Sequence, residues 1–260
     1  MAARYLGLDS HLVLRNSAQG AAADPGLVGN LLVERMVGAT IHQVTKAEYA
    51  QHGGQALGEA VAERLRAEGR RPYVIPVGGS NPLGSWGYLE AIRELEADVA
   101  ELGITDIACA CGSGGTIAGL ALGAHLSGLG VRIHAFGVCD SPDYFYDYID
   151  GLLAGMGSAG PPARELLEAV DVKGAGYALS REEELAFCCE VSARTGIVLD
   201  PVYSGKAMFG LVNAMRARPG AWAGRKVLFI HTGGLLGMYD KADQLAPLVA
   251  AGSRAERLEV

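Results

Sequence analysis

Hydrophobic positions along the chain switch repeatedly between two periods. Short apolar runs at 11–14, 41–44, 73–77, 107–111, 131–138 and 227–231 read as strands. Between them the apolar positions fall at helical spacing. A helix is expected over 27–37, closed by Gly38, and another opens at the capping box Thr45-x-x-Glu48, with Leu57, Val61 and Leu65 four residues apart. Leu89, Ile92, Leu95 and Val99 mark one helix face, and Ile117, Leu120, Ala121 and His125 begin the next. The region 144–170 reads as helical, interrupted by Gly and Pro. A helix capped by Ser180-x-x-Glu183 and stopped at Gly196 follows. Then comes one with Met208, Leu211, Val212 and Met215 at core spacing, and a last amphipathic helix after strand 227–231. Strands alternating with helices predict an α/β fold with mostly parallel sheets.

Three glycine-rich stretches, 78–84, 112–116 and 232–234, each follow a predicted strand. In parallel sheets ligands bind beyond the carboxyl ends of strands, so the three loops are expected to share one face. The central stretch, Cys111-Gly-Ser-Gly-Gly-Thr116, has the composition of an anion cradle. Glycines let backbone N–H groups turn inward, the helix N-terminus adds donors, and Ser113 and Thr116 add hydroxyls. No Lys follows, so it is not a Walker A loop, and its spacing is not that of the dinucleotide fingerprint. The anion expected there is a phosphate; an ordinary glycine-rich turn is the alternative.

Composition narrows the partners. The 29 acidic against 22 basic residues give a net charge of -7 without a basic cluster, which excludes a nucleic-acid partner. The apolar runs are too short to span a membrane. Five cysteines (Cys109, Cys111, Cys139, Cys188, Cys189) fall on predicted strands or helices and read as reduced thiols, implying a reducing compartment. The six histidines are scattered without metal-ligand spacing.

The motifs together identify a resemblance. Gly29-Asn-Leu-Leu32, Tyr73-Val-Ile-Pro-Val-Gly-Gly-Ser-Asn81, Cys111-Gly-Ser-Gly-Gly-Thr116, Gly176-Tyr177, Leu199-Asp-Pro-Val-Tyr-Ser-Gly-Lys206 and Phe229-Ile-His-Thr-Gly-Gly234 keep the order found in one family. In these the chain resembles the D-cysteine desulfhydrase and 1-aminocyclopropane-1-carboxylate (ACC) deaminase family of pyridoxal-phosphate-dependent enzymes. The resemblance implies two open, mostly parallel α/β domains of the tryptophan synthase β-like architecture (fold type II). A partial small domain is expected over 1–77 and the large cofactor-binding domain over 78–260. It further implies that Ser113, Gly114, Gly115 and Thr116 cradle the phosphate of pyridoxal 5'-phosphate. Tyr177 and Tyr203 would face substrate and cofactor, and Ser204 and Thr232 would lie near the pyridine nitrogen. A hydroxyl residue at 204, where the deaminase branch has Glu, favours D-cysteine desulfhydrase-like α,β-elimination to pyruvate, ammonia and hydrogen sulfide. The implied setting is a small amino-acid substrate, a cytoplasmic location and a homodimer.

The family's Schiff-base lysine lies in an N-terminal segment that has no counterpart here. The opening, Met1-Ala-Ala-Arg-Tyr-Leu-Gly-Leu-Asp9, reads like the end of a helix. An N-terminally truncated chain with impaired turnover is therefore expected. None of Lys46, Lys173, Lys206, Lys226 and Lys241 is expected to substitute. Three other readings stay open: ACC deamination, a non-catalytic phosphate-binding module or subunit, and a serine or threonine dehydratase relative, against which the paired tyrosines argue.

Overall fold

The structure, a computed structural model, describes residues 1–253 and 256–258. The chain splits into two compact units, Met1–Gly79 and Ser80–Val260. In the first unit, β1 (His11–Asn16) pairs in parallel with β2 (Thr40–Thr45), joined through α1 (Asn30–Met36). The expected capping box opens α2 (Lys46–Ala67): the Thr45 hydroxyl accepts the Glu48 N–H at 3.1 Å, and the Glu48 carboxylate accepts the Thr45 N–H at 2.7 Å. Residues 73–77, expected as a strand, pair in neither sheet. Pro72 and Pro76 have no N–H to donate, and Tyr73, Ile75 and Val77 lie exposed. The loop at 78–84 therefore does not follow a sheet strand, contrary to the sequence expectation.

The second unit is a four-stranded, wholly parallel sheet covered by helices. Its elements in chain order are α3 (Pro82–Leu102), β3 (Asp106–Cys111), α4 (Gly115–Ser127), β4 (Arg132–Gly137), α5 (Pro142–Gly155), β5 (Leu167–Asp171), α6 (Glu182–Thr195), α7 (Ser204–Ala217), β6 (Val227–Ile230) and α8 (Ala242–Gly252). Spatial order is β5-β4-β3-β6. β5 corrects the helical expectation for 144–170. Only α5 and a single turn, Ala163–Leu166, are helical there, and the chain then straightens to pair with β4 from Ile133↔Leu167 to Gly137↔Asp171. A five-residue edge strand containing Glu168 carries too little period-2 signal to declare itself. The α6 cap also differs. Arg181 donates its N–H to the Glu184 carboxylate at 2.9 Å, and Ser180 instead donates to the Pro201 carbonyl at 3.3 Å.

β3 is central and buried, and α4 behind it is apolar on nearly every side because strands and helices surround it. α3 reaches α4 across Gly119, where a Cβ would lie 2.3 Å from the Ser85 carbonyl oxygen. That packing holds the start of α4 rigidly at the carboxyl end of β3. The stage for the site is set there.

Candidate active site at the carboxyl ends of the strands

The chain leaves β3 at Cys111 and enters α4 at Gly115, turning through Gly114 at φ 90°. No side chain caps the N-terminus of α4. Among the described residues, the N–H groups of Ser113, Gly115 and Thr116 donate no hydrogen bond. A thirteen-residue helix thus presents free donors and its positive dipole end to one point.

Side chains from elsewhere fix the two preceding peptide groups. Ser80 Oγ donates to the Ser113 carbonyl at 2.8 Å, and Cys139 Sγ donates to the Gly112 carbonyl at 2.9 Å. Because C=O and N–H point opposite ways across a peptide, holding the Gly112 carbonyl directs the Ser113 N–H away from Cys139. Burial, reinforced by Asp140, pushes the Cys139 thiol up to about 12, so it stays a donor at neutral pH. The Tyr148 hydroxyl in turn donates to the Ser80 carbonyl at 2.9 Å. The walls are tight: a Cβ on Gly115 would stand 2.7 Å from Ser80 Oγ, and one on Gly112 would stand 2.8 Å from Tyr203 Cε1.

Tyr203 therefore lies against the cradle, and it brings Tyr177 with it. Their hydroxyls are 2.6 Å apart and their rings meet edge to face, with centroids 6.0 Å apart. Burial, then the bond from Tyr177, pushes the Tyr203 phenol above its ordinary range, so it keeps its proton at neutral pH. Tyr203 is placed by the turn into α7. Asp200 accepts the N–H groups of Val202 and Tyr203 on Oδ2 and the N–H and hydroxyl of Ser204 on Oδ1, all at 2.6–2.8 Å. Ser204 Oγ also accepts the Asp200 N–H at 2.8 Å, leaving Ser204 buried with its proton committed to Asp200.

Thr232 is exposed on the loop after β6, and its side chain makes no hydrogen bond among the described residues. The loop itself approaches Asp200: a Cβ on Gly234 would lie 2.7 Å from Asp200 Cγ. His231 steadies it, accepting the Gly233 N–H on Nδ1 at 3.1 Å and bonding the Val198 carbonyl through Nε2 at 2.9 Å. The fold thus brings the 112–116 cradle together with Tyr203 and Tyr177, and the 232–234 loop together with the Asp200–Ser204 turn.

Four contributors were not singled out from the sequence. Asp200 had a signal, an Asp-Pro-x-x-Ser run of the kind whose side chain caps the following backbone. Ser80 stood inside a quoted motif without a role. Tyr148 and Cys139 had no local signal, since their bonds join residues 68 and 27 positions apart.

Converging N–H groups, two hydroxyl-bearing residues and no room for side chains at Gly112 and Gly115 fit a phosphate group. The strand-to-helix joint thus has the shape and the free donors to take a phosphorylated ligand. The model of the pyridoxal-phosphate dependent enzyme family matches residues 1–233, and the chain belongs to that family. A bifunctional D-cysteine desulfhydrase/1-aminocyclopropane-1-carboxylate deaminase of Arabidopsis thaliana, named as mitochondrial, is 55% identical over 259 residues, covering 98% of this chain and 64% of the relative. A D-cysteine desulfhydrase of Klebsiella pneumoniae is 34% identical over 239 residues, covering 89% of this chain and 70% of the relative. Among solved structures, an ACC deaminase homologue superposes with a TM-score of 0.80 at 35% identity, covering 95% of this chain and 72% of its own. The fold is thus that of the fold type II enzymes. The chain spans just under two thirds of the length of the Arabidopsis relative.

Proposed function

We propose that the protein is a lyase acting on D-cysteine, with water, to give pyruvate, ammonia and hydrogen sulfide. Ser113, Gly115 and Thr116 hold the cofactor phosphate through their N–H groups and the two hydroxyls. The bound cofactor supplies an electron sink for the pair left when the substrate Cα loses its proton. Tyr203 and Tyr177 act as a single protonated pair. Since one hydroxyl donates to the other, the pair has one proton to offer outward, suited to the sulfur that leaves Cβ. Tyr203, packed on Gly112, keeps that proton beside the cradle.

The observation that carries the choice of substrate is the turn at Ser204. No Glu stands there, and the neighbouring carboxylate, Asp200, has two donors on each oxygen. With Ser204 beside the pyridine nitrogen, the ring would gain little positive charge. A weaker sink serves elimination of a good leaving group such as a thiolate better than it serves opening of a carbon ring. ACC deamination is the second reading, favoured by the bifunctional name of the Arabidopsis relative.

Cofactor affinity of the protein and of the double variant Ser113→Ala/Thr116→Ala, followed by sulfide and ammonia release from each substrate, tests this. We expect reversible binding, lost in the variant, and impaired but measurable sulfide release from D-cysteine. Turnover of the cyclopropane substrate alone would overturn the choice of substrate, and cofactor binding with turnover of neither would support a non-catalytic module. A homodimer, checked by sedimentation, and a reducing compartment, either cytoplasmic or like that of the Arabidopsis relative, belong to the same proposal; the five cysteines are all unpaired.

A further inference from the structure

Beneath the tyrosine pair lies a lysine with no part in the chemistry above. Lys206, in the first turn of α7, is 1% exposed, and its ammonium donates to the carbonyls of Lys173, Gly176 and Leu179 at 2.6, 3.0 and 2.7 Å. The Glu184 carboxylate of α6 stands 3.6 Å away and is itself buried. An ammonium has three protons, and here each has a carbonyl acceptor.

The three carbonyls belong to one loop, three residues apart, with Tyr177 between the second and third. Converging them demands unusual backbone. Gly174 and Gly176 have φ 60° and 129°, and Ala178 has φ 58°, a left-handed conformation that is unfavourable for a residue with a Cβ. Such strain persists only where the surroundings over-determine it. Lys206 supplies that, and Lys241 adds a bond to the Ala178 carbonyl at 2.9 Å. Three carbonyls and one carboxylate around a single positive charge are also the donor set of a monovalent cation site.

We propose that the Lys206 ammonium is a built-in monovalent cation that locks the loop 173–179 and so positions Tyr177 against Tyr203. The same turn of α7 then sets both tyrosines, Tyr203 directly and Tyr177 through the clamp. Lys206 is a positioning residue, and its importance for turnover rests on the proposed role of the tyrosine pair. Burial lowers the Lys206 pKa, and Glu184 opposes the change, in keeping with a charge kept by its partners.

The test is amide exchange on the protein without cofactor or substrate, at Gly176 and Leu179, whose N–H groups bond the Lys173 and Gly176 carbonyls at 2.9 and 3.1 Å. In Lys206→Ala their exchange should rise by at least about ten-fold, and about 0.1 M ammonium or potassium chloride should slow it again by occupying the vacated donor set. Tetramethylammonium chloride at equal ionic strength should not. Lys206→Met, which fills the space without a charge, should exchange fast and resist rescue. Wild-type exchange in Lys206→Met, or no slowing of Lys206→Ala by any cation, overturns the proposal. Should Lys206→Ala lose its fold, recovery of helical circular dichroism with ammonium but not tetramethylammonium carries the same meaning, and failure to recover overturns it. Because no cofactor is present, the clamp and the proposed reaction fail separately.

Discussion

At the scale of single residues, the cradle depends on atoms that are missing. Gly115 has a Cβ position 2.7 Å from Ser80 Oγ and 3.1 Å from Ser80 Cα. The hydroxyl can rotate aside, but the backbone carbon cannot. In Gly115→Ala the loop must shift, and the N–H groups proposed to hold the phosphate shift with it. Hydrogen bonds to a charged group contribute about 1.5–3 kcal/mol each, so losing the aim of one should weaken cofactor binding by ten-fold or more. Gly87 on α3 is the control, because a Cβ there meets nothing within 4 Å. Gly87→Ala should leave affinity unchanged and, as a helix-interior glycine, raise stability by about 0.5–1 kcal/mol. Titrating both variants with the cofactor decides it: equal affinity in Gly115→Ala and the parent would remove the cradle from the binding site.

At the scale of elements, what local sequence announced and what it hid divide cleanly. The glycine-rich strand-to-helix joint at 112–116 and the Thr45–Glu48 box are written in adjacent residues, and both form as read. β5 and the unpaired stretch 73–77 were misread because strand identity depends on a neighbour, and no local pattern states whether one is there. A partner outside the local pattern also explains a buried carboxylate. Asp106 opens β3 fully buried, accepting from Thr105 Oγ at 2.6 Å, His134 Nε2 at 2.8 Å and Arg225 at 3.0 Å, with Arg132 at 3.3 Å. Burial alone would push its carboxyl up, but the bonds from Thr105 and His134 and the charge of Arg132 outweigh it and hold it below the ordinary value of 3.8. A carboxylate whose pKa is depressed by folding stabilises above its unfolded pKa, and that contribution fades as pH falls through the folded value. Asp106→Asn should therefore cost about 3–5 kcal/mol at pH 7, the range for breaking a buried ion pair. In urea unfolding, the gap to the parent should narrow below about pH 4. A gap of constant size from neutral to acid pH would mean that Asp106 is not the charged anchor of the sheet.

At the scale of the whole molecule, apolar burial is distributed very unevenly. Both hydrophobic clusters lie between Tyr88 and Ile230, inside the second unit. The first unit has Val61 and Ala62 as its buried hydrophobic side chains among the described residues, while Leu8, Leu27, Val28, Met36, Tyr73, Ile75 and Val77 stand exposed. Burial of a Leu- or Val-sized side chain is worth about 1.5–3 kcal/mol, and a two-stranded sheet is at best marginal without a packed face. The two units should therefore differ in stability, with the site elements of the second unit protected longest. Amide exchange followed through a urea gradient should show β1 and β2 losing protection at a lower concentration than β3 and β4, in two separate transitions. The cradle should keep its affinity for cofactor phosphate, or for inorganic phosphate as a stand-in, beyond the first of them. A single transition common to all four strands would show instead that the sparse core of the first unit does not limit it, and that stability is shared across the chain.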